Sequence, residues 1–262
     1  MVFPLGDDNR DRRTWPLVNI CLIAANVFVF VVFQGMGTNE KFTMAFSTVP
    51  AEIVSGRDLV TNDRVVEMPS ATGRAERVTV PGLQPTPIPV YFTLLTAIFM
   101  HGGLMHLAGN MWFLWIFGDN IEDDLGRVRY LVFYILTGLA ASLAHVFLNM
   151  SGDNSQIPSL GASGAISGVM GAYLLLHPHR QVTVLMLRMI MHVPGYVAVG
   201  LWFLFQLISG LGLLGGMETG GVAYAAHIGG FIAGAILAKP FMIGRPPPLP
   251  SQSPPNRGQS GW

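Results

Sequence analysis

The stretch Gly161-Ala162-Ser163-Gly164-Ala165-Ile166-Ser167-Gly168-Val169-Met170-Gly171-Ala172-Tyr173-Leu174-Leu175-Leu176 decides how this chain is read. It is uncharged and apolar, yet it opens on a serine set among small residues. At about 1.5 Å per residue a helix over it spans ~24 Å, short of a ~30 Å hydrocarbon layer. Such a helix starts below the bilayer surface among other helices, because irregular backbone at that depth needs protein or a water-filled cavity beside it. Ser163 then lies at a helix start, near free backbone N–H groups and the positive end of the helix dipole. Those groups stabilise a tetrahedral oxyanion.

The rest of the chain is of the same kind. Of its 262 residues 51% are hydrophobic and 11% charged, against about 25% charged in an ordinary soluble domain. Uncharged apolar runs fall near 16–33, 90–118, 130–150, 156–179, 189–214 and 219–238, most of them close to the ~20 residues of a spanning helix. The expectation is an all-α polytopic membrane protein: a bundle of six transmembrane helices with a short, sunken fourth helix. Residues 1–15 read as a cytoplasmic N-terminal tail and 16–240 as one membrane domain with a long outer loop at about 35–89. Residues 241–262, rich in proline, read as a disordered cytoplasmic tail. The first run starts well inside the chain and is followed by further spans, so it reads as a helix rather than a cleavable signal. Lys plus Arg equals Asp plus Glu at 15 each, which argues against a nucleic-acid partner. Cys21 is the one cysteine, so no internal disulfide forms.

Positive charge in short loops orients the spans. Arg10, Arg12 and Arg13 precede helix one, Arg127 and Arg129 separate helices two and three, Arg180 and Arg188 separate four and five, and Lys239 and Arg245 follow six. The loops after helices three and five lack Lys and Arg. Both termini therefore face the cytoplasm, and helices two, four and six start on the outer side. Asn110, Ser163 and His227 all lie near those starts, at similar depth.

The chemistry follows from that placement. Ser163 is a candidate nucleophile and His227 a candidate base, brought together by Gly164/Gly168 and Gly230/Gly234, whose spacing lets helices approach closely. Taken alone, G-x-S-G in a membrane helix more often marks packing than catalysis. His227 lies in an apolar segment, and ionisable groups there lean functional. No Asp or Glu shares its span, and Glu218 should face the outer water, so the reading is a Ser–His dyad. His106 and Asn110 are four apart on one helix face and read as oxyanion donors rather than interhelical glue. His101 is ambiguous, ordering the end of a loop. His145, His177, His179 and His192 fall near helix ends and read as solvated. No H-E-x-x-H occurs, and His177-x-His179 has no carboxylate near it in sequence, so no metal is expected.

Together these residues resemble the rhomboid family of intramembrane serine proteases from about Leu94 to Gly234. The similarity is carried by His101-x4-His106-x3-Asn110, by Gly118-x3-Glu122-x3-Gly126, by Gly161-Ala162-Ser163-Gly164, and by Ala226-His227-Ile228-Gly229-Gly230-x3-Gly234. The resemblance implies a rhomboid-like bundle in which Ser163 is the nucleophile and His227 the general base. His106, Asn110 and the Ser163 amide would form the oxyanion hole. It further implies cleavage of single-span membrane proteins in or near the outer end of their transmembrane segment, without a cofactor, by a multi-pass protein of the bacterial inner membrane. Some members carry a tyrosine one turn after the serine, stacked on the histidine; here Ser167 stands there. Glu122, placed in the turn after helix two, is expected to tie backbone together. The polar stretch from about Ser55 to Gln84 is an unusual insert, with a hint of a strand at Arg77 to Val80. The alternatives are a catalytically silent relative that binds or escorts membrane proteins, which would typically lack the serine or histidine, and a transporter, which would show paired broken helices in two halves.

Overall fold

A computed structural model describes residues 3–69, 75–186, 188–210 and 221–248. The described chain is mostly helical, with five strands in two small sheets; of these the all-α reading carried only the hint at Arg77 to Val80. Strand β1 (Phe3–Asp7) precedes helix α1 (Leu17–Phe28), which continues through a wider turn to Phe33. Two short helices, α2 (Glu40–Ala45) and α3 (Pro50–Ser55), and the strands β2 (Arg64–Pro69) and β3 (Ala75–Val80) fill the long loop. β2 and β3 pair antiparallel with Arg64 opposite Val80, so the strand signal at Arg77 to Val80 corresponds to β3.

The run at 90–118, read as one helix, is two. A short segment α4 (Val90–Phe99) meets α5 (Leu104–Leu125) at 76°. Met100 is extended at the break, and His101-Gly102-Gly103 favours neither turn of helix. Gln34 replaces the lost helical hydrogen bonds: its Oε1 accepts from the His101 amide at 2.9 Å, and its Nε2 donates to the His101 carbonyl at 2.8 Å. Backbone freed inside an apolar bundle must find such a partner.

The bundle continues with α6 (Arg127–Leu148) and α7 (Ser163–Leu176). A hairpin of β4 (Gln181–Met186) and β5 (Met189–Pro194) comes next, then α8 (Gly195–Gly210) and α9 (Gly221–Phe241). The first part of the expected fifth span, 189–194, is therefore strand. β1 joins the hairpin in the order β1-β4-β5, with Asp7 opposite Val182 and Gln181 opposite Pro194. By length and composition one described helix, Arg127–Leu148, is long and apolar enough to cross a membrane, and the bent pair α4–α5 makes a second if it counts as one span. Leu17–Phe33, Ser163–Leu176 and Gly195–Ile208 are apolar and shorter.

α7 is the centre. Every residue from Gly164 to Tyr173 is buried, because its glycines leave no gap to its neighbours. A Cβ on Gly164 would overlap Ala141 of α6, and one on Gly168 would overlap Thr137. From the other side, Gly230 and Gly234 of α9 rest on the carbonyls of Gly164 and Gly168. Small residues thus permit the close approach that positions the site.

The opposite end of the bundle is polar and equally buried. Asp119, Asn120, Glu122, Asp123 and Asp124 in the last turns of α5 are each at most 7% exposed, because the N-terminal segment folds back over them. Arg12 pairs with Asp119 at 3.0 Å and Arg13 with Asp123 at 3.0 Å. Glu122 lies within α5 rather than in a turn, and its carboxylate accepts from the amides of Val18 and Asn19 at 3.0 and 2.7 Å. It therefore caps the start of α1, whose first N–H groups have no helical partner. His145 and His177 are buried rather than solvated, at 0% and 4% exposed. His177 Nε2 lies 2.7 Å from Asp124 Oδ2, a carboxylate more than fifty residues away in sequence. His179 and His192 are exposed. Arg245, in the segment read as a disordered tail, donates to the Asp124 carbonyl at 2.7 Å; residues 249–262 lie outside the described residues.

Candidate active site

Ser163 is the first residue of α7, reached through Gly161, whose φ of +131° suits glycine and whose amide donates to the Ala97 carbonyl at 2.8 Å. A Cβ at 161 would also press on the His106 ring, at 3.0 Å from Cε1. The Ser163 Oγ lies 2.8 Å from His227 Nε2. This is hydrogen-bond geometry between a hydroxyl and an imidazole. Both side chains are partly buried.

His106 and Asn110 come from the facing turns of α5. The His106 Nδ1 accepts from the Gly102 amide at 3.3 Å, leaving Nε2 turned towards the serine side of the site. Asn110 is 9% exposed, and its Nδ2 has no hydrogen-bond partner among the described residues. A buried amide donor without an acceptor is unfavourable unless something arrives to accept from it. Ser163, His227, His106 and Asn110 all line one cavity of about 230 Å³, walled by Phe113, Ile166, Met170 and Trp202. The structure thus brings together the four residues singled out in the sequence. It leaves out His101, which is buried beside His106 at a ring distance of 5.3 Å and whose ring nitrogens have no described partner. Glu218 lies outside the described residues. Ser167 turns back to donate to the Ser163 carbonyl at 2.6 Å and does not reach the histidine.

One residue of the site was not foreseen. Gln206 of α8 lines the same cavity, and its Oε1 lies 2.9 Å from His227 Nδ1. The signal available in the sequence was a primary amide inside an otherwise apolar run. Trp202, one turn earlier, packs its ring 6.2 Å from the imidazole.

The chain resembles known proteins over this same region. The family description "Rhomboid domain" matches residues 89–243. "Rhomboid protein 1, mitochondrial" of Saccharomyces cerevisiae is 32% identical over 146 residues, covering 55% of this chain and 40% of the yeast protein. "Rhomboid protease GluP" of Bacillus subtilis is 33% identical over 151 residues, covering 57% of this chain and 27% of that protein. "RHOMBOID-like protein 4" of Arabidopsis thaliana is 29% identical over 268 residues, covering 91% of this chain and 56% of the plant protein. The chain spans roughly a quarter to just over half the length of these relatives. The matched segment runs from α4 to the end of α9 and contains every cavity residue named above, and on that ground the chain belongs to the rhomboid family.

Proposed function

We propose that this chain is an intramembrane serine endopeptidase that cuts single-span membrane proteins in or near the outer end of their transmembrane segment. It is a multi-pass protein of the bacterial inner membrane, with six spans and both termini cytoplasmic. The observation that carries this reading is the 2.8 Å contact between Ser163 Oγ and His227 Nε2 at the wall of a cavity. The membrane setting is supported by where apolar and charged groups sit. Phe28, Val32, Trp115, Phe147 and Ile236 are more than half exposed on the outer faces of the helices, while Glu122 and Asp124 are buried. A water-soluble protein avoids such large exposed apolar patches. The sequence relative from Bacillus subtilis carries the name of a protease.

The chemistry proceeds as acyl transfer. The Ser163 hydroxyl gives its proton to His227 Nε2 as Oγ bonds to the scissile carbonyl carbon. The carbonyl oxygen becomes an oxyanion, and the Ser163 amide, Asn110 Nδ2 and the His106 ring donate to it. Collapse breaks the C–N bond, and the leaving amine takes the proton held on Nε2. Water then repeats the sequence, losing a proton to Nε2 while attacking the ester, and Ser163 leaves with that proton. The products are one carboxylate and one amine. A smaller cavity of about 30 Å³, lined by Gly138, Ala141, Gly164 and Ala226, also reaches Ser163. It suits a small side chain beside the cut bond.

Incubating the purified protein with a labelled transmembrane peptide tests the reading, with product masses identifying the bond. Scission at the outer end, abolished in Ser163→Ala, is expected. No turnover of any such peptide, or a cut at the cytoplasmic end, rejects it. A catalytically silent relative would give no turnover.

A further inference from the structure

The dyad reading leaves the imidazole of His227 with one ring nitrogen unassigned. In neutral histidine one nitrogen carries hydrogen and the other accepts, and which is which depends on the partner of each. If the hydrogen sits on Nε2, that atom cannot take a proton from Ser163. A base without an orienting group therefore spends part of its time in a form that cannot act.

Gln206 supplies what is missing. It is 8% exposed and lines the cavity from α8, together with Trp202 one turn earlier. A buried primary amide in an apolar helix is unfavourable without a partner. Here its Oε1 faces Nδ1 at 2.9 Å while Nε2 faces Ser163 at 2.8 Å. A carbonyl oxygen only accepts, so Nδ1 must donate, and the lone pair is left on Nε2. Among the described residues no carboxylate hydrogen-bonds His227; the neighbouring rings are Trp202 and Tyr224. Ser167 is engaged with the Ser163 carbonyl and cannot substitute.

We propose that Gln206 is the positioning residue of this site: its side-chain carbonyl holds His227 in the Nδ1–H tautomer and fixes the plane of the ring. The proposal rests on the serine-protease reading for its catalytic consequence, while the tautomer itself does not depend on that reading. Ser163, Gln206 and His227 form a relay of three side chains on α7, α8 and α9, with a neutral amide in the outer place.

The test uses the full chain in detergent micelles with ¹⁵N-labelled histidine, at a pH where the ring is neutral, and His227→Gln to assign the signals. Wild type is expected to show a protonated Nδ1 and an unprotonated Nε2. Gln206→Met keeps the length of the side chain but removes the strong acceptor, and is expected to mix the two tautomers. In the cleavage assay the same change is expected to lower kcat about 10–100-fold, by analogy with partners that orient metal-binding imidazoles, with KM altered less than about threefold. Gln206→Glu offers an acceptor in the same place and is expected to recover most of kcat. An unchanged tautomer in Gln206→Met overturns the proposal, and so does a loss of activity that Gln206→Glu does not recover. If wild type cleaves nothing yet the tautomer shifts in Gln206→Met, the protease reading has failed and the positioning contact has not.

Discussion

Gly234 of α9 rests against the backbone carbonyl of Gly168 on α7, with no room between them for a methyl group. One turn earlier Gly230 makes the same contact with the Gly164 carbonyl. His227 lies three residues before Gly230, and Ser163 immediately precedes Gly164. These two contacts therefore set the distance between hydroxyl and imidazole. Gly230→Ala should push α9 outward, lower stability by about 1–3 kcal/mol, and reduce cleavage well beyond what that loss explains. Thermal melting beside turnover checks this; a variant that melts and cleaves like wild type would show the contact is looser than drawn.

Ser163→Ala should abolish cleavage while leaving the melting temperature near that of wild type, since only a hydroxyl is lost. His227→Ala should be comparably inactive. Where nucleophile and base act as a unit, either loss costs ~10⁶ in rate and the double variant is little worse. Turnover within tenfold of wild type in Ser163→Ala ends the assignment.

Asn110→Ala should be milder. Its Nδ2 has no described partner in the resting site, so the group is expected to act only when an oxyanion forms. Removing one such donor typically lowers rate by ~10²–10³. The measurement is kcat at saturating substrate. A loss as deep as that of Ser163→Ala, with normal melting, would give Asn110 a different role.

Glu122→Ala should weaken the fold rather than the chemistry. The carboxylate is fully buried and holds two amides of α1. Leaving those donors unpaired is expected to destabilise by about 2–5 kcal/mol, and Glu122→Gln, which keeps one acceptor, by less. Equal melting of Glu122→Ala and wild type would contradict the cap.

Asp7 makes stability depend on pH. Burial, together with the nearby Asp119, raises its carboxyl from 3.8 to about 7, against the opposing influence of Tyr173, Arg180 and Asn120. The folded chain thus binds this proton more tightly than the unfolded chain does. Its stabilising contribution is complete below about pH 4 and fades as pH rises through about 7. Asp7→Asn imitates the protonated form and should melt higher than wild type at pH 8, with the gap closing at pH 4. Parallel melting curves for the two proteins across that range would remove Asp7 as the cause.

Much of the site was legible in the sequence, for a physical reason. Ser163, His227, His106 and Asn110 are polar groups among residues that otherwise have none, and the glycines that pack their helices stand at fixed intervals. Gln206 was not legible, because its meaning depends on how α8 is rotated against α9, which no local pattern encodes. The polar end of the bundle was misread because its partners are remote: Asp119 and Asp123 are buried only when Arg12 and Arg13 fold back over them. The β4–β5 hairpin did leave a trace. Val182 and Val184 are buried while Gln181 and Thr183 are partly open, an alternation with the period of a strand. Continuous apolar character from Met189 onward masked it, although Pro194-Gly195 marks the boundary.

The cap on α1 carries a consequence for the order in which the molecule is made. The amides of Val18 and Asn19 meet their partner 104 and 103 residues further along, and the Arg13 guanidinium meets Asp123 after 110. At ~5–20 residues per second of synthesis, that interval is on the order of 10 s. Throughout it the opening amides of the first helix and the Arg13 guanidinium lack these carboxylate partners. A ribosome-bound chain stopped before Glu122 should therefore be digested readily at its N-terminal segment, and one long enough for Glu122 to Asp124 to have left the ribosome should resist.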